Sequence, residues 1–263
     1  MAKVTINQVE LHVQQLGHGI PEAVFLHGLV MDNLSSWYFT VAPRVAEVSP
    51  VLLYDLRGHG RSARPESGYT VADFVDDLAG LLDDRLPPDH AVHLVGNSFG
   101  GLLALEFASR RPDRVKSLVL VDAHLNSAGW ADQMVDTLSL TGTARDNAIA
   151  THFHNWLGRN SQRKRNRLAA SAEALVYGTS LMDDLRRSDS LSATQLGSIR
   201  QPILALYGDG SDVLDTGLAA AKHLQNVRFK TLPGCSHSIL WEATGTIRDE
   251  VLSWVKGRYE DLT

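Results

Sequence analysis

Hydrophobic and polar residues alternate at the start of the chain and then give way to short continuous apolar runs. The alternation over residues 4–15 predicts an antiparallel hairpin with one buried face. Continuous apolar runs are typical of parallel strands covered on both faces, and they occur at residues 23–26, 51–54, 93–95, 115–121 and 202–207. Segments with helical spacing separate several of these runs. The pattern therefore predicts an α/β fold with a mostly parallel central sheet and helices on both faces.

Two helical segments and one long interruption complete this pattern. Residues 70–86 have helical spacing, with Thr70 as a predicted N-cap and Pro87 after the end. Residues 35–47 predict a crossover helix that Pro43 restricts or breaks. Residues 125–197 contain no buried-strand run and are helical in tendency. We therefore predict a core of residues 1–124 and 198–263 with an inserted helical cap at 125–197.

Composition excludes several classes of partner. With 263 residues, of which 44% are hydrophobic, the chain is long enough to bury a sizeable core. A net charge of −5 argues against nucleic acid or an anionic membrane as the main partner. No apolar run approaches the roughly 18 residues of a membrane span, and the opening residues are too polar for a signal peptide. The single cysteine, Cys235, is compatible with a reducing compartment, so we expect a cytoplasmic protein.

A Gly-x-Ser-x-Gly sequence stands between a predicted strand and a predicted helix. Gly96 and Gly100 flank Ser98 at two residues on either side. A serine on such a tight turn has strained backbone geometry, and side chains at those two places would collide. The amide of Phe99 would lie at the helix N-terminus, where it could stabilise an oxyanion. The segment is a candidate nucleophile elbow.

A nucleophilic serine needs an imidazole as base and a carboxylate to orient that imidazole. His237 follows the last predicted strand in a tight turn, and Asp212 lies in a glycine-rich turn after the preceding strand. The order Ser98, Asp212, His237 is the one expected when strand ends converge at one edge of a sheet. Two other carboxylates stay open for the acid: Asp209 in the same turn as Asp212, and Asp122 at the end of an earlier strand.

These motifs together resemble the α/β-hydrolase family over nearly the whole chain outside the cap. The resemblance rests on His27-Gly28, the loop at residues 55–62, the elbow and the two triad candidates. It implies that Ser98 is the nucleophile, His237 the general base and then acid, and Asp212 the orienting acid. It also implies an oxyanion hole formed by the amides of Leu29 and Phe99. Many relatives have a further glycine after His-Gly. Here Met31 adds bulk to that loop and narrows the approach to Ser98.

The resemblance leaves several functions open. The leading hypothesis is hydrolysis of a small-molecule carboxylic ester or thioester through an acyl-serine, without a cofactor. One alternative is hydrolysis of a carbon–carbon bond in a vinylogous diketone, because the elbow Gly-Asn-Ser-Phe-Gly-Gly is similar to those of such enzymes. A biosynthetic lyase or cyclase with the same triad is another. The alternative outside enzymes is a receptor that reuses the fold to bind a ligand.

Other side chains are candidates for the substrate pocket or for support. We predict that Met31, His124, Trp130, Trp156 and Trp241 line the pocket, with core packing as the alternative for the tryptophans. His27 and His59 are predicted to brace loops. No metal site is predicted, since the cap histidines have no ligands at suitable spacing. A basic run predicts either a solvated helix face or a contact with the phosphate of an acyl carrier or CoA thioester: Arg159, Arg163, Lys164, Arg165 and Arg167.

Overall fold

A single eight-stranded sheet forms the centre of the fold. The computed structural model describes residues 2–125, 130–140, 162–189 and 191–257. The strand order is β1-β2-β4-β3-β5-β6-β7-β8, in which β1 and β2 are antiparallel to their neighbours and the others run parallel. The strands are β1 (Ala2–Ile6), β2 (Val9–Leu16), β3 (Ala23–Leu26), β4 (Val51–Tyr54), β5 (Val92–Asn97), β6 (Val115–Val121), β7 (Ile203–Gly208) and β8 (Val227–Leu232). The predicted hairpin and mostly parallel sheet are confirmed.

Helices cover both faces of this sheet. They are α1 (Ser35–Tyr38), α2 (Ala42–Ala46), α3 (Val71–Arg85), α4 (Phe99–Arg110), α5 (Trp130–Leu138), α6 (Gln162–Val176), α7 (Leu181–Arg186), α8 (Ala193–Ser198), α9 (Leu214–Ala221), α10 (Ile239–Glu242) and α11 (Thr244–Val255). Among the residues described, no helix has both the length and the apolar character that a membrane span requires.

The central strands are buried because successive side chains enter different cores. In β3, Val24 and Leu26 belong to one hydrophobic cluster, whereas Ala23 and Phe25 belong to the cluster on the other face. All four residues of this strand are buried. A strand that alternates between two apolar layers has no polar side, which explains the continuous apolar runs in the sequence.

Local sequence signals explain where two helical segments begin. Thr70 caps α3 by accepting the amide hydrogen of Asp73 on its side chain, and the Asp73 carboxylate accepts the backbone N–H of Thr70. The predicted crossover helix consists of two short helices, with Pro43 in the first turn of α2. Proline is tolerated there because the first amides of a helix have no partner within it. Both predictions are confirmed.

The regular secondary structure described between β6 and β7 is helical. Helices α5 to α8 lie there, and the described part of the stretch contains no strand. The division into a core and a cap at residues 125–197 stays a prediction. Trp156, Arg159 and residues 258–263 fall outside the described residues.

Candidate active site

The turn between β5 and α4 holds Ser98 in a conformation that few residues adopt. Its φ is +52° and its ψ is −121°, a strained combination for a residue with a side chain. A Cβ on Gly96 would lie 2.3 Å from the carbonyl oxygen of Gly100, and one on Gly100 would lie 2.3 Å from that of Leu26. Both positions therefore require glycine, which is the steric reason for the Gly-x-Ser-x-Gly spacing.

His237 lies within hydrogen-bonding distance of the serine. Its Nε2 is 3.1 Å from the Oγ of Ser98, although the two residues are 139 positions apart. The turn after β8 is fixed by Glu242, whose carboxylate accepts hydrogen bonds from the amide and hydroxyl of Ser236, at 2.7 and 2.9 Å. The imidazole is thus in place to take the hydroxyl proton.

The other nitrogen of His237 faces a buried carboxylate at the end of β6. Its Nδ1 lies 2.6 Å from Oδ2 of Asp122, whose side chain is 1% exposed. The amide of Gly208 donates to Oδ1 of Asp122 at 2.9 Å, and the hydroxyl of Ser211 donates to Oδ2. Asp122 itself has a φ of +47°. Two donors from the β7 end therefore fix the carboxylate that orients the imidazole.

The structure differs from the prediction that Asp212 is the partner of His237: the carboxylate hydrogen-bonded to the imidazole is that of Asp122. Asp212 has a side chain that is 55% exposed, and its Oδ1 lies 3.9 Å from Nδ1 of His237. Asp209 is used elsewhere, since its carboxylate accepts the amide hydrogen of Gly234. β6 and β7 are neighbours in the sheet, so a carboxylate from the end of either strand can approach the same imidazole.

Two opposing effects act on the pKa of His237. Burial by itself lowers the pKa, because it disfavours the charged imidazolium. The hydrogen bond and charge of Asp122, followed by the charge of Asp212, act in the other direction, and the result is a pKa above the usual value of 6.5. Asp212 thus contributes to the field at the imidazole without holding it.

The backbone amides predicted for the oxyanion hole have no protein acceptor among the described residues. Phe99 is the first residue of α4, and neither its amide nor that of Leu29 donates to another protein atom in the described part of the chain. The oxyanion loop (residues 27–33) lies against the nucleophile: a Cβ on Gly28 would be 3.4 Å from Cβ of Ser98. The oxyanion role of these two amides stays a prediction.

Of the predicted pocket residues, His124 lies beside Ser98 and His237, and Trp130 lies beside His124. The His124 ring is 5.0 Å from that of His237, measured between centroids, and its amide donates to the carbonyl of Ser98. Trp130 donates its indole N–H to Nδ1 of His124 at 3.2 Å and stacks on Phe99 with its ring at 9°. The rings of Phe99, Trp130 and His124 therefore form one contiguous group that ends at the ring of His237.

The other predicted pocket residues are placed less centrally or lie outside the described part of the chain. Met31 is partly buried against the core on the α3 and α4 face, and Trp241 against the core on the opposite face. Trp156 falls outside the described residues. Ser211, which supports Asp122, was not among the candidates, because no sequence pattern shows which loop hydroxyl will reach a carboxylate.

Comparison with known proteins shows the family to which the chain belongs. A family model described as alpha/beta hydrolase fold matches residues 24–244. A pimeloyl-[acyl-carrier protein] methyl ester esterase of Nitrosospira multiformis is 30% identical over 258 aligned residues, covering 88% of this chain and 93% of that enzyme. A 2-(acetamidomethylene)succinate hydrolase of Mesorhizobium japonicum is 36% identical over 120 residues, and this match covers only 46% of this chain and 41% of that protein. A solved meta-cleavage product hydrolase of Pseudomonas fluorescens IP01 has a TM-score of 0.82 at 21% identity, covering 98% of both chains.

Proposed function

The chain belongs to the alpha/beta hydrolase fold family, and we propose that it hydrolyses a carboxylic ester or thioester through an acyl-serine intermediate. The observation that supports this most strongly is the hydrogen-bonded triad of Ser98, His237 and Asp122. Such a triad performs nucleophilic acyl transfer without a cofactor. The full-length similarity to an ester hydrolase supports the same reaction class.

In the first half of the reaction, Oγ of Ser98 attacks the carbonyl carbon while Nε2 of His237 takes its proton. The carbonyl oxygen becomes an oxyanion that accepts hydrogen bonds from the amides of Leu29 and Phe99. Asp122 stabilises the imidazolium through its bond to Nδ1. When the carbon–oxygen or carbon–sulfur bond breaks, His237 returns the proton to the departing alcohol or thiol.

In the second half, a water molecule replaces the leaving group. Nε2 of His237 takes a proton from the water as its oxygen attacks the acyl carbon, and a second oxyanion forms in the same hole. Collapse of this intermediate returns the proton to Oγ of Ser98 and releases the carboxylic acid. These steps regenerate the free enzyme.

We further propose that the acyl group of the substrate is linked to an acyl carrier or to CoA. The similarity to an esterase of pimeloyl-[acyl-carrier protein] supports this. So does Arg167, which is exposed on α6. Arg167→Glu should lower kcat/KM severalfold for a carrier-linked ester at low salt but not for a short free ester, since exposed charges act through screened attraction. Arg248→Glu, on α11, is the matched control, and equal effects of both variants on both substrates would argue against the carrier.

Substrate turnover separates the proposal from its alternatives. The purified protein is offered short p-nitrophenyl esters, acyl thioesters and vinylogous diketones, and Ser98→Ala and the exposed Ser198→Ala are compared. We expect ester or thioester turnover that only Ser98→Ala abolishes. Turnover of the diketones alone would assign carbon–carbon bond hydrolysis instead. Failure of a fluorophosphonate probe to label Ser98 would favour the receptor hypothesis.

A further inference from the structure

Val30, in the middle of the oxyanion loop, has a backbone conformation that a valine avoids. Its φ is +64°. A side chain branched at Cβ is disfavoured in the left-handed region, where glycine is the usual occupant. The surrounding structure must therefore hold this residue in place.

Two hydrogen bonds hold the turn at Val30: the amide of Met31 donates to the carbonyl of Leu29 at 2.8 Å, and the amide of Val30 donates to His59, from the loop after β4. Its Nε2 accepts the amide hydrogen of Val30 at 2.7 Å, and its Nδ1 donates to the carbonyl of Arg57 at 2.8 Å. Since an amide only donates and a carbonyl only accepts, these partners fix the ring as one neutral tautomer. Burial, reinforced by the nearby His27 ring, lowers the pKa of His59 to about 3, so the ring stays neutral over the working pH range.

A second histidine fixes the neighbouring peptide in the same loop. Nδ1 of His27 donates to the carbonyl of Gly28 at 2.7 Å, while its Nε2 accepts the amide hydrogen of Leu56. The carbonyl of Gly28 and the N–H of Leu29 belong to one planar trans peptide, so they point in opposite directions. Because His27 holds the carbonyl, the Leu29 N–H points away from the His27 ring. The backbone conformation of the next residue, Val30, determines how stably the Leu29 N–H keeps this orientation.

We propose that His59 is a positioning residue for the oxyanion hole, because it holds Val30 in the left-handed conformation that keeps the Leu29 amide available to the oxyanion. This inference rests on the proposed function. The buried imidazole does not touch the substrate, and it acts only through the backbone of the loop.

The test combines loss of the hydrogen bond with relief of the strain. His59→Leu should lower kcat for an ester about 100-fold, the usual effect of losing one oxyanion donor, with KM nearly unchanged. It should weaken binding of a boronic acid transition-state analogue by a similar factor. Val30→Gly in the same chain should recover at least about tenfold in kcat, because glycine adopts a positive φ without strain.

Two further variants separate positioning from general support. His59→Gln retains an oxygen that can accept the Val30 amide, and should retain most of the activity. His93→Leu is the matched control, since His93 is also buried and hydrogen-bonded, to Ser117, but lies away from this loop. It should lower stability and leave kcat within a few-fold of wild type. If His59→Leu does not fold, His59→Leu/Val30→Gly is compared with Val30→Gly, and their kcat values should agree within about tenfold.

Structures of wild type and His59→Leu give a readout that does not depend on activity. Val30 should leave the positive φ region and the Gly28–Leu29 peptide should turn when His59 is replaced. An unchanged loop in His59→Leu, an unaltered kcat, or a double variant no better than the single one would overturn the proposal. If wild type hydrolyses no ester and Ser98 is not labelled, the proposed function fails, whereas the two structures still show whether His59 holds Val30 at a positive φ.

Discussion

Asp122 and His237, 115 positions apart in the chain, share a 2.6 Å hydrogen bond, and the other ring nitrogen of His237 lies 3.1 Å from Oγ of Ser98. The carboxylate that contacts the imidazole therefore comes from the end of β6 and not from the turn after β7. That turn contributes in another way: Ser211 donates to Asp122, and Asp212 adds negative charge near the imidazole.

The first prediction concerns the acid. Asp122→Asn should lower kcat by about 10³–10⁴-fold, because an amide that donates to Nδ1 stabilises the wrong tautomer of His237. Asp212→Asn, the matched control one loop away, should keep kcat within about tenfold. Steady-state rates on one p-nitrophenyl ester decide this, and the reverse ranking would restore Asp212 as the acid.

The pH dependence of kcat/KM follows from the raised pKa of His237. The base must be neutral, so activity should fall as the pH drops through a pKa above 6.5. Asp122→Asn removes the main effect that raises this pKa, so its residual activity should persist to lower pH. A wild-type profile that stays flat down to pH values near 5 would contradict the role of His237 as base.

Acid should destabilise the fold through two buried neutral histidines. The pKa of His59 is lowered to about 3 and that of His93 to about 4, both mainly by burial. The unfolded chain, with pKa values near 6.5, binds more protons in this range, so stability is full above about pH 6.5 and declines below it.

The decline can be assigned to one residue by substitution. Each histidine contributes a slope of at most about 1.4 kcal/mol per pH unit, between 6.5 and its lowered pKa. Urea unfolding of His93→Gln should show a shallower slope between about pH 4 and 6.5, whereas His18→Gln, at an exposed position, should match wild type. Equal slopes in all three proteins would refute the prediction.

The elbow should not tolerate a side chain at Gly100. The added Cβ of Gly100→Ala would meet the Leu26 carbonyl at 2.3 Å, so the turn must shift, and we expect at least about 100-fold loss of kcat. Gly245→Ala, in helix α11 with open space around the position, should be neutral or stabilise the fold by up to about 1 kcal/mol. Near-normal activity in Gly100→Ala would argue against a strained elbow.

Much of the fold could be predicted because burial on two faces leaves a direct trace in the sequence. The apolar run at residues 115–121 became β6 with the same bounds, and the cap of α3 followed from Thr70 and its spacing. Boundaries without such signals were less exact: the segment at residues 35–47 holds two short helices, α1 and α2, and not one continuous helix.

The site was less predictable than the fold. The sequence placed Ser98 and His237 at the same edge because both follow parallel strands. It left the acid open among Asp122, Asp209 and Asp212, because the choice depends on loop dihedral angles and on where neighbouring loop donors lie. The positive φ of Val30 had no sequence signal either, since a residue branched at Cβ rarely adopts it.

The most direct measurement is mass spectrometry of the protein after reaction with a fluorophosphonate. The proposed mechanism predicts one adduct, on the peptide that contains Ser98, together with loss of ester hydrolysis in proportion to labelling. Ser98→Ala should acquire no adduct and no longer hydrolyse esters. An adduct on another residue, or unchanged hydrolysis by Ser98→Ala, would contradict it.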